Sequence, residues 1–117
     1  MFKCKHRGFS KIACEWLENL AKKDGIVIQH ALNDGEVKID GHKRDGYCKE
    51  RDMVYEFFGC FFHGCQVCFS PEAFNELLKK PMIELYQTTM DLQTRLQARG
   101  PLTFIWEHEY RLQLRTT

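Results

Sequence analysis

Three cysteines and a histidine lie within nine residues, 60–68, and no other segment constrains the fold of this chain as strongly. The cysteines follow the spacing C-x4-C-x2-C, and thiols this close in sequence form either disulfides or a metal site. A C-x2-C pair is a common half-site for tetrahedral zinc, because both thiolates can turn onto one ion. The basic N-terminus has no apolar signal region, so we expect an intracellular, reducing compartment, the nucleus or the cytoplasm, which favours the metal.

A tetrahedral zinc needs a fourth ligand from elsewhere in the chain. His108 is the candidate, because it lies just after a predicted strand at residues 102–106. We therefore predict a structural zinc bound by Cys60, Cys65, Cys68 and His108. Three disulfides formed by all six cysteines remain the alternative.

The chain of 117 residues suits one domain, residues 1–117, with a modest core. Its apolar runs are far shorter than the roughly 20 residues of a membrane span, so we expect no membrane partner. The net charge of +1 does not by itself indicate nucleic acid. Basic residues flank one loop, at Lys38, Lys43, Arg44 and Lys49, and on charge alone they indicate a solvated surface.

Hydrophobic periodicity and turn residues predict a succession of helices and strands. Ser10 can cap a helix that Gly25 ends, and the N-D-G sequence at 33–35 is a strong hairpin turn. The predicted elements are a helix at 11–24, strands at 26–32, 36–45 and 53–58, a short helix that starts at Ser70 and is broken at Pro81, a helix at 82–99, a strand at 102–106 and a short helix at 107–115. An antiparallel meander followed by a crossover helix and a fourth strand gives an α/β fold with a mixed sheet.

Two acidic residues occupy informative positions on this scaffold. Asp45 ends the predicted second strand, and Glu56 interrupts the apolar third strand, where a carboxylate is rarely idle. Neighbouring antiparallel strands can place both side chains on one face, and clustered carboxylates suit magnesium. Glu15, in the first helix, could supply a third. The plainer interpretation is that all three are ordinary surface acids.

This succession of elements, with Glu15 in the first helix, Asp45 on the second strand and Glu56 on the third, resembles the αβββαβ, restriction-endonuclease-like core of PD-(D/E)XK nucleases. The sequence G-C-F-F-H at 59–63 resembles the G-C-F-W-H segment of the very-short-patch repair endonucleases. Their V-W-E-C segment, which ends in a zinc ligand, is similar to I-W-E-H at 105–108. A closer resemblance is to the nuclease-like segment in protein-primed family B DNA polymerases of Polinton-type transposons and related viruses. It rests on E-W-L at 15–17, I-Q-H-A-L-N at 28–33, D-G-Y at 45–47 and V-Y-E-F at 54–57, together with G-C at 59–60 and H-G-C at 63–65.

The resemblance implies a metal-dependent DNA endonuclease or nickase that acts in transposon or viral DNA replication or repair. Asp45 would be the principal ligand of Mg²⁺ or Mn²⁺, with Glu56 beside it, and Glu15 would complete the acidic site. His63 would act as general acid or base, a role suited to an imidazole near pH 7.

The resemblance also implies a DNA-binding surface. Phe61 and Phe62 would be the aromatic pair that wedges into the base stack, and Lys43 and Arg44, which flank the acidic site, would contact DNA. The partners would be DNA and polymerase domains of the same parent chain, of which 1–117 would be a fragment. One departure matters: the lysine of the PD-(D/E)XK motif is absent, and Phe58 stands at that position.

Two further interpretations stay open. The first is a catalytically weak or silent, zinc-stabilised module that binds DNA or docks onto a partner. The second is a small zinc-ribbon-like interaction domain with scattered acids, which the predicted hairpin geometry argues against.

Overall fold

A computed structural model describes residues 10–116 and gives a mixed α/β fold. Helix α1 (Lys11–Asp24) begins where the Ser10 hydroxyl accepts a hydrogen bond from the Ala13 N–H at 3.2 Å. It ends at Gly25, whose φ of 65° is the left-handed conformation that glycine adopts without strain. The predicted first helix is therefore confirmed, with both of its end signals.

After α1, the chain forms the strands β1 (Lys38–Ile39), β2 (His42–Lys43), β3 (Gly46–Cys48) and β4 (Met53–Phe58). The second half of the chain contains α2 (Cys60–His63), β5 (Phe74–Asn75), β6 (Lys80–Pro81), α3 (Met82–Arg99), β7 (Leu102–Trp106) and α4 (Glu107–Arg115). The predictions for β4, α3, β7 and α4 are confirmed.

The mixed sheet contains three strands in the order β3-β4-β7. β3 pairs antiparallel with β4, and Gly46 lies opposite Tyr55. The hairpins β1–β2 and β5–β6 are separate two-stranded pairs. In the described part of the chain, no helix combines the length and the apolar character needed to cross a membrane.

The predicted strand at 26–32 is wrong, because only Gln29 pairs, through an isolated bridge to Tyr47. The chain then turns, since the Asn33 side chain accepts a hydrogen bond from the His30 N–H at 2.8 Å and donates one to the Ile28 carbonyl at 2.9 Å. These local hydrogen bonds use backbone groups that a longer strand would need for pairing.

Two further predictions are wrong for a similar local reason. The predicted strand at 36–45 is a hairpin, because Asp40 and Gly41 both have positive φ, 58° and 82°, and form a tight turn. The helix predicted from Ser70 is replaced by a turn and the β5–β6 hairpin. There the buried Asn75 side chain accepts a hydrogen bond from the Leu78 N–H at 2.9 Å.

The described residues form two compact units. The first comprises the residues up to Glu56 together with Gly100–Thr103, and in its core Trp16 packs edge-on against Tyr55 at 6.3 Å between ring centroids. The second comprises Phe57–Arg99 and the residues from Phe104 onwards. Its core includes the fully buried side chains of Phe58, Met82 and Leu96.

Candidate functional site

The four predicted zinc ligands gather in the second unit. α2 supplies Cys60, and the backbone turns at Gly64, with φ 68°, so that Cys65 follows at once. His108 is the second residue of α4, directly after β7. The ligand atoms of Cys60, Cys65, Cys68 and His108 all lie within 4.8 Å of one another.

The distances in this Cys3His cluster fit a tetrahedral ion. His108 Nδ1 lies 3.4 Å from the Cys60 Sγ and 3.3 Å from the Cys65 Sγ. Zinc bonds of about 2.3 Å to sulfur and 2.0–2.1 Å to nitrogen would separate such ligands by roughly 3.5 Å. The cluster is therefore compatible with a structural zinc site. The five described cysteines are all free thiols, so the alternative of three disulfides does not apply.

Neighbouring groups position the cluster. The Glu107 carboxylate accepts a hydrogen bond from the Cys60 N–H at 3.1 Å, and Arg111 holds its other oxygen at 3.0 and 2.9 Å. Burial raises the pKa of the Cys60 thiol above its ordinary value, because a thiolate there loses hydration. A bound dication would offset this cost by favouring the thiolate.

Asp45 and Glu56, the acids predicted to share a face, both belong to the first unit, and a backbone group of one faces the side chain of the other. The Asp45 N–H points to the Glu56 carboxylate, with its nitrogen 3.4 Å from Oε2, and the Arg44 Nη1 lies 4.0 Å from the same oxygen. Glu56 is buried, and burial followed by the negative charge of Asp45 raises its pKa to about 8. The guanidinium of Arg44 opposes this shift without cancelling it.

Glu36 is a third acid of this group, and it was not predicted. The Arg44 N–H donates to the Val37 carbonyl at 2.9 Å, so the β1–β2 hairpin returns residue 45 to the level of residue 36. Burial and the charge of Asp45 raise the pKa of Glu36 to about 7. A sequence signal existed in the D-G pair at 40–41, which is a hairpin turn in its own right.

The first helix places the predicted acid Glu15 next to a buried cysteine. Glu15 is exposed on α1, whereas the preceding Cys14 is buried, and its pKa is raised by burial and by the charges of Asp45 and Glu36. Within residues 10–116, the Cys3His cluster is the one group of three or more histidine, cysteine, aspartate or glutamate side chains found in a position to hold a metal ion. Asp45, Glu56 and Glu36 do not form such a group in that range.

The two predicted DNA-contacting cations have different surroundings. Lys43 is exposed on β2. Arg44 is buried, and its Nε donates to the Ile39 carbonyl at 3.1 Å, so the expected surface contact of Arg44 with DNA is wrong. The Arg44 guanidinium lies beside the Glu56 carboxylate instead.

His63 and the aromatic pair belong to the second unit, whereas Asp45 and Glu56 belong to the first. His63 Nδ1 lies 2.9 Å from the Thr89 hydroxyl, and burial lowers the pKa of His63 to about 4. The imidazole is therefore neutral near pH 7, but it is a weaker base than an ordinary histidine.

The aromatic residues of 57–62 fall into two kinds. Phe58, which the sequence resemblance aligns with a lysine, is fully buried against Phe104 and Trp106, with ring centroids 5.6 and 5.2 Å away. Phe61 and Phe62 contact each other edge to face at 5.2 Å, and each is 37% exposed. Phe58 is core, and the other two rings are accessible for a contact.

Comparisons of this chain with protein-family models, with curated proteins and with solved structures found no match. The resemblance to PD-(D/E)XK nucleases therefore rests on the sequence segments and stays a prediction.

Proposed function

We propose that this chain is a metal-dependent DNA endonuclease or nickase domain with a structural zinc. The observation that carries the proposal is the buried Glu56, placed beside Asp45 and close to Glu36. A buried carboxylate next to other carboxylates is costly unless it is paired, and Arg44 at 4.0 Å provides only a loose ion pair. A divalent cation shared by the group would offset the repulsion.

The roles of the acidic residues follow from their surroundings. Asp45 and Glu56, with Glu36 beside them, would hold Mg²⁺ or Mn²⁺. Such an ion, when bound, polarises a phosphate oxygen and favours ionisation of water. Arg44 lies 4.0 Å from Glu56 and partly offsets its charge, and the exposed Lys43 would attract the DNA backbone through its own charge.

Zinc would occupy the Cys3His cluster in a structural role. All four positions of a tetrahedral ion are supplied by the chain, so no position is open for a substrate or a water. The ion would tie α2 to α4 within the second unit. Because a preformed site is absent from the unfolded chain, zinc binding would contribute directly to folding.

Phe61 and Phe62 would contact the bases of DNA. Two accessible rings at an edge-to-face angle offer flat apolar surfaces to an unstacked base pair, and such contacts tolerate different sequences. We expect Phe61→Ala and Phe62→Ala to weaken DNA affinity more than they lower the melting temperature. Loss of stability with unchanged affinity per folded molecule would make the pair part of the core instead.

The proposal is tested by nicking of supercoiled plasmid with Mg²⁺ and with Mn²⁺. We expect wild type to nick slowly, Asp45→Ala to be inactive, and Glu56→Gln and His63→Ala to be strongly reduced. Glu50→Gln, an exposed acid in the β3–β4 turn, is the matched control and should be as active as wild type. Equal trace nicking by wild type and Asp45→Ala would assign the activity to contamination.

A second candidate function is a DNA-binding or docking module without catalysis. It is favoured by the buried Phe58 at the lysine position and by the low pKa of His63. Salt-dependent DNA binding without metal-dependent nicking would establish it. Under either function, we propose that the domain works beside polymerase domains of a longer chain in transposon or viral DNA replication.

A further inference from the structure

Thr89 and His63 form a buried hydrogen-bonded pair in the second unit. The Thr89 hydroxyl oxygen on α3 lies 2.9 Å from His63 Nδ1, 3.0 Å from the Leu85 carbonyl oxygen and 3.3 Å from the carbonyl oxygen of His63 itself. Thr89 is 2% exposed, so bulk water does not compete for these contacts.

The hydroxyl has one hydrogen for three neighbours, and the two carbonyls can only accept it. If that hydrogen pointed to Nδ1, neither carbonyl oxygen would receive it. The His63 carbonyl would then lose the Thr89 hydroxyl, which is the hydrogen-bond donor found for it within residues 10–116. The hydroxyl therefore donates to a carbonyl, and its lone pair accepts the Nδ1–H of His63. The ring is then the Nδ1–H tautomer, with a lone pair on Nε2.

Close packing fixes the pair in place. A Cβ atom at Gly64 would lie 2.2 Å from the Met82 carbonyl oxygen and 2.6 Å from the Tyr86 nitrogen, so the first turn of α3 meets the backbone directly after His63. In the part of the chain that the structure describes, no hydrogen bond reaches Nε2 of His63. That atom is held in one orientation and has no partner there.

We propose that Thr89 is a positioning residue, whose hydroxyl fixes the tautomer of His63 so that the Nε2 lone pair is available to accept a hydrogen bond from the water molecule that attacks a DNA phosphate. The tautomer part stands on the hydrogen bonds alone, and the catalytic part rests on the proposed nuclease function. The two parts are tested by different measurements.

The tautomer is read by long-range ¹H–¹⁵N correlation spectra of the full chain, purified with zinc, at pH 8, where an ordinary histidine is neutral. In wild type we expect a protonated Nδ1 and an unprotonated Nε2. Thr89→Val keeps the shape of the side chain but removes the acceptor, so the Nε2–H form should gain population. Thr89→Ser retains the hydroxyl and should restore the wild-type spectrum.

The same variants are compared in the nicking assay, with melting temperature and zinc content measured alongside. We expect Thr89→Val to lower the rate by about tenfold or more and Thr89→Ser to recover most of it, since a positioned acid–base group contributes roughly 10²–10⁴-fold. An Nε2–H ring in wild type, or an unchanged spectrum in Thr89→Val, overturns the proposal while leaving the nuclease function intact. Absence of nicking by wild type overturns the catalytic part alone.

Discussion

Replacement of Glu56 by glutamine should make the protein more stable at neutral pH and less active. Burial and Asp45 raise the pKa of Glu56 from its ordinary value of 4.5 to about 8 in the folded protein. Between these two values the unfolded chain releases a proton that the folded chain retains, so stability falls as the pH rises through this window. Below pH 4.5 both states are protonated, and the penalty disappears.

The size of the effect follows from the same shift. Each pH unit above 4.5 lowers the free energy of unfolding by about 1.4 kcal/mol, which amounts to about 3 kcal/mol at pH 7. Because the charges of Asp45 and Glu36 both act on Glu56, its titration is coupled to theirs. We therefore expect the measured gain of Glu56→Gln at pH 7 to lie between about 1 and 3 kcal/mol, and to shrink to under about 1 kcal/mol at pH 5. A gain of 1 kcal/mol corresponds to a rise in melting temperature of about 4 °C.

The assay is urea unfolding of wild type, Glu56→Gln and the control Glu50→Gln at pH 5 and pH 7, in buffer free of magnesium and of chelators. The control should match wild type within about 0.5 kcal/mol at both pH values. Added Mg²⁺ at ten times its dissociation constant should stabilise wild type by about 1.4 kcal/mol and Glu56→Gln much less. If Glu56→Gln is less stable than wild type at pH 7, or its effect is the same at both pH values, the carboxylate is satisfied by the fold and needs no cation.

Two further predictions concern the second unit. Cys68→Ser should abolish zinc binding and lower the melting temperature. The control Cys48→Ala, in the core of the first unit, should also lower the melting temperature but should retain one zinc per chain. Metal analysis by mass spectrometry distinguishes the two variants, and full zinc content in Cys68→Ser would remove Cys68 from the ligand set. Gly64→Ala should lower the free energy of unfolding by more than about 3 kcal/mol, because the added Cβ would lie 2.2 Å from the Met82 carbonyl oxygen. Gly25→Ala, with a similar φ of 65° and open space around it, should lower the free energy of unfolding by about 1–2 kcal/mol. Equal losses in urea unfolding would contradict the close contact at Gly64.

The sequence predicted the parts of the fold whose signals are local. Ser10 and Gly25 mark the ends of α1, and the apolar periodicity of 82–99 defines α3, because caps and helical faces depend on residues a few positions apart. The zinc ligands of 60–68 were predictable for the same reason. His108 was reached by combining zinc's need for a fourth ligand with the predicted strand that ends just before it.

The region 26–45 could not be predicted in the same way, because alternation of apolar residues is compatible both with one strand and with a short hairpin. Asn33 and the turn at Gly41 decided the outcome through side-chain hydrogen bonds and positive φ. Glu36 was missed as a direct consequence, since it approaches Asp45 only when 36–45 folds back on itself. The burial of Arg44 was missed too, because a charged residue next to Lys43 is typical of a solvated surface.

Binding of Mn²⁺ is the measurement that tests the carboxylate group as the metal site most directly. Electron paramagnetic resonance of free Mn²⁺, titrated with zinc-loaded protein at pH 7.5, should reveal one bound ion per chain in wild type and in Glu50→Gln. Asp45→Ala should lose this binding, and Glu56→Gln should weaken it at least about tenfold. Binding that is absent from wild type, or that is unchanged in Asp45→Ala, would contradict a divalent cation held by Asp45 and Glu56.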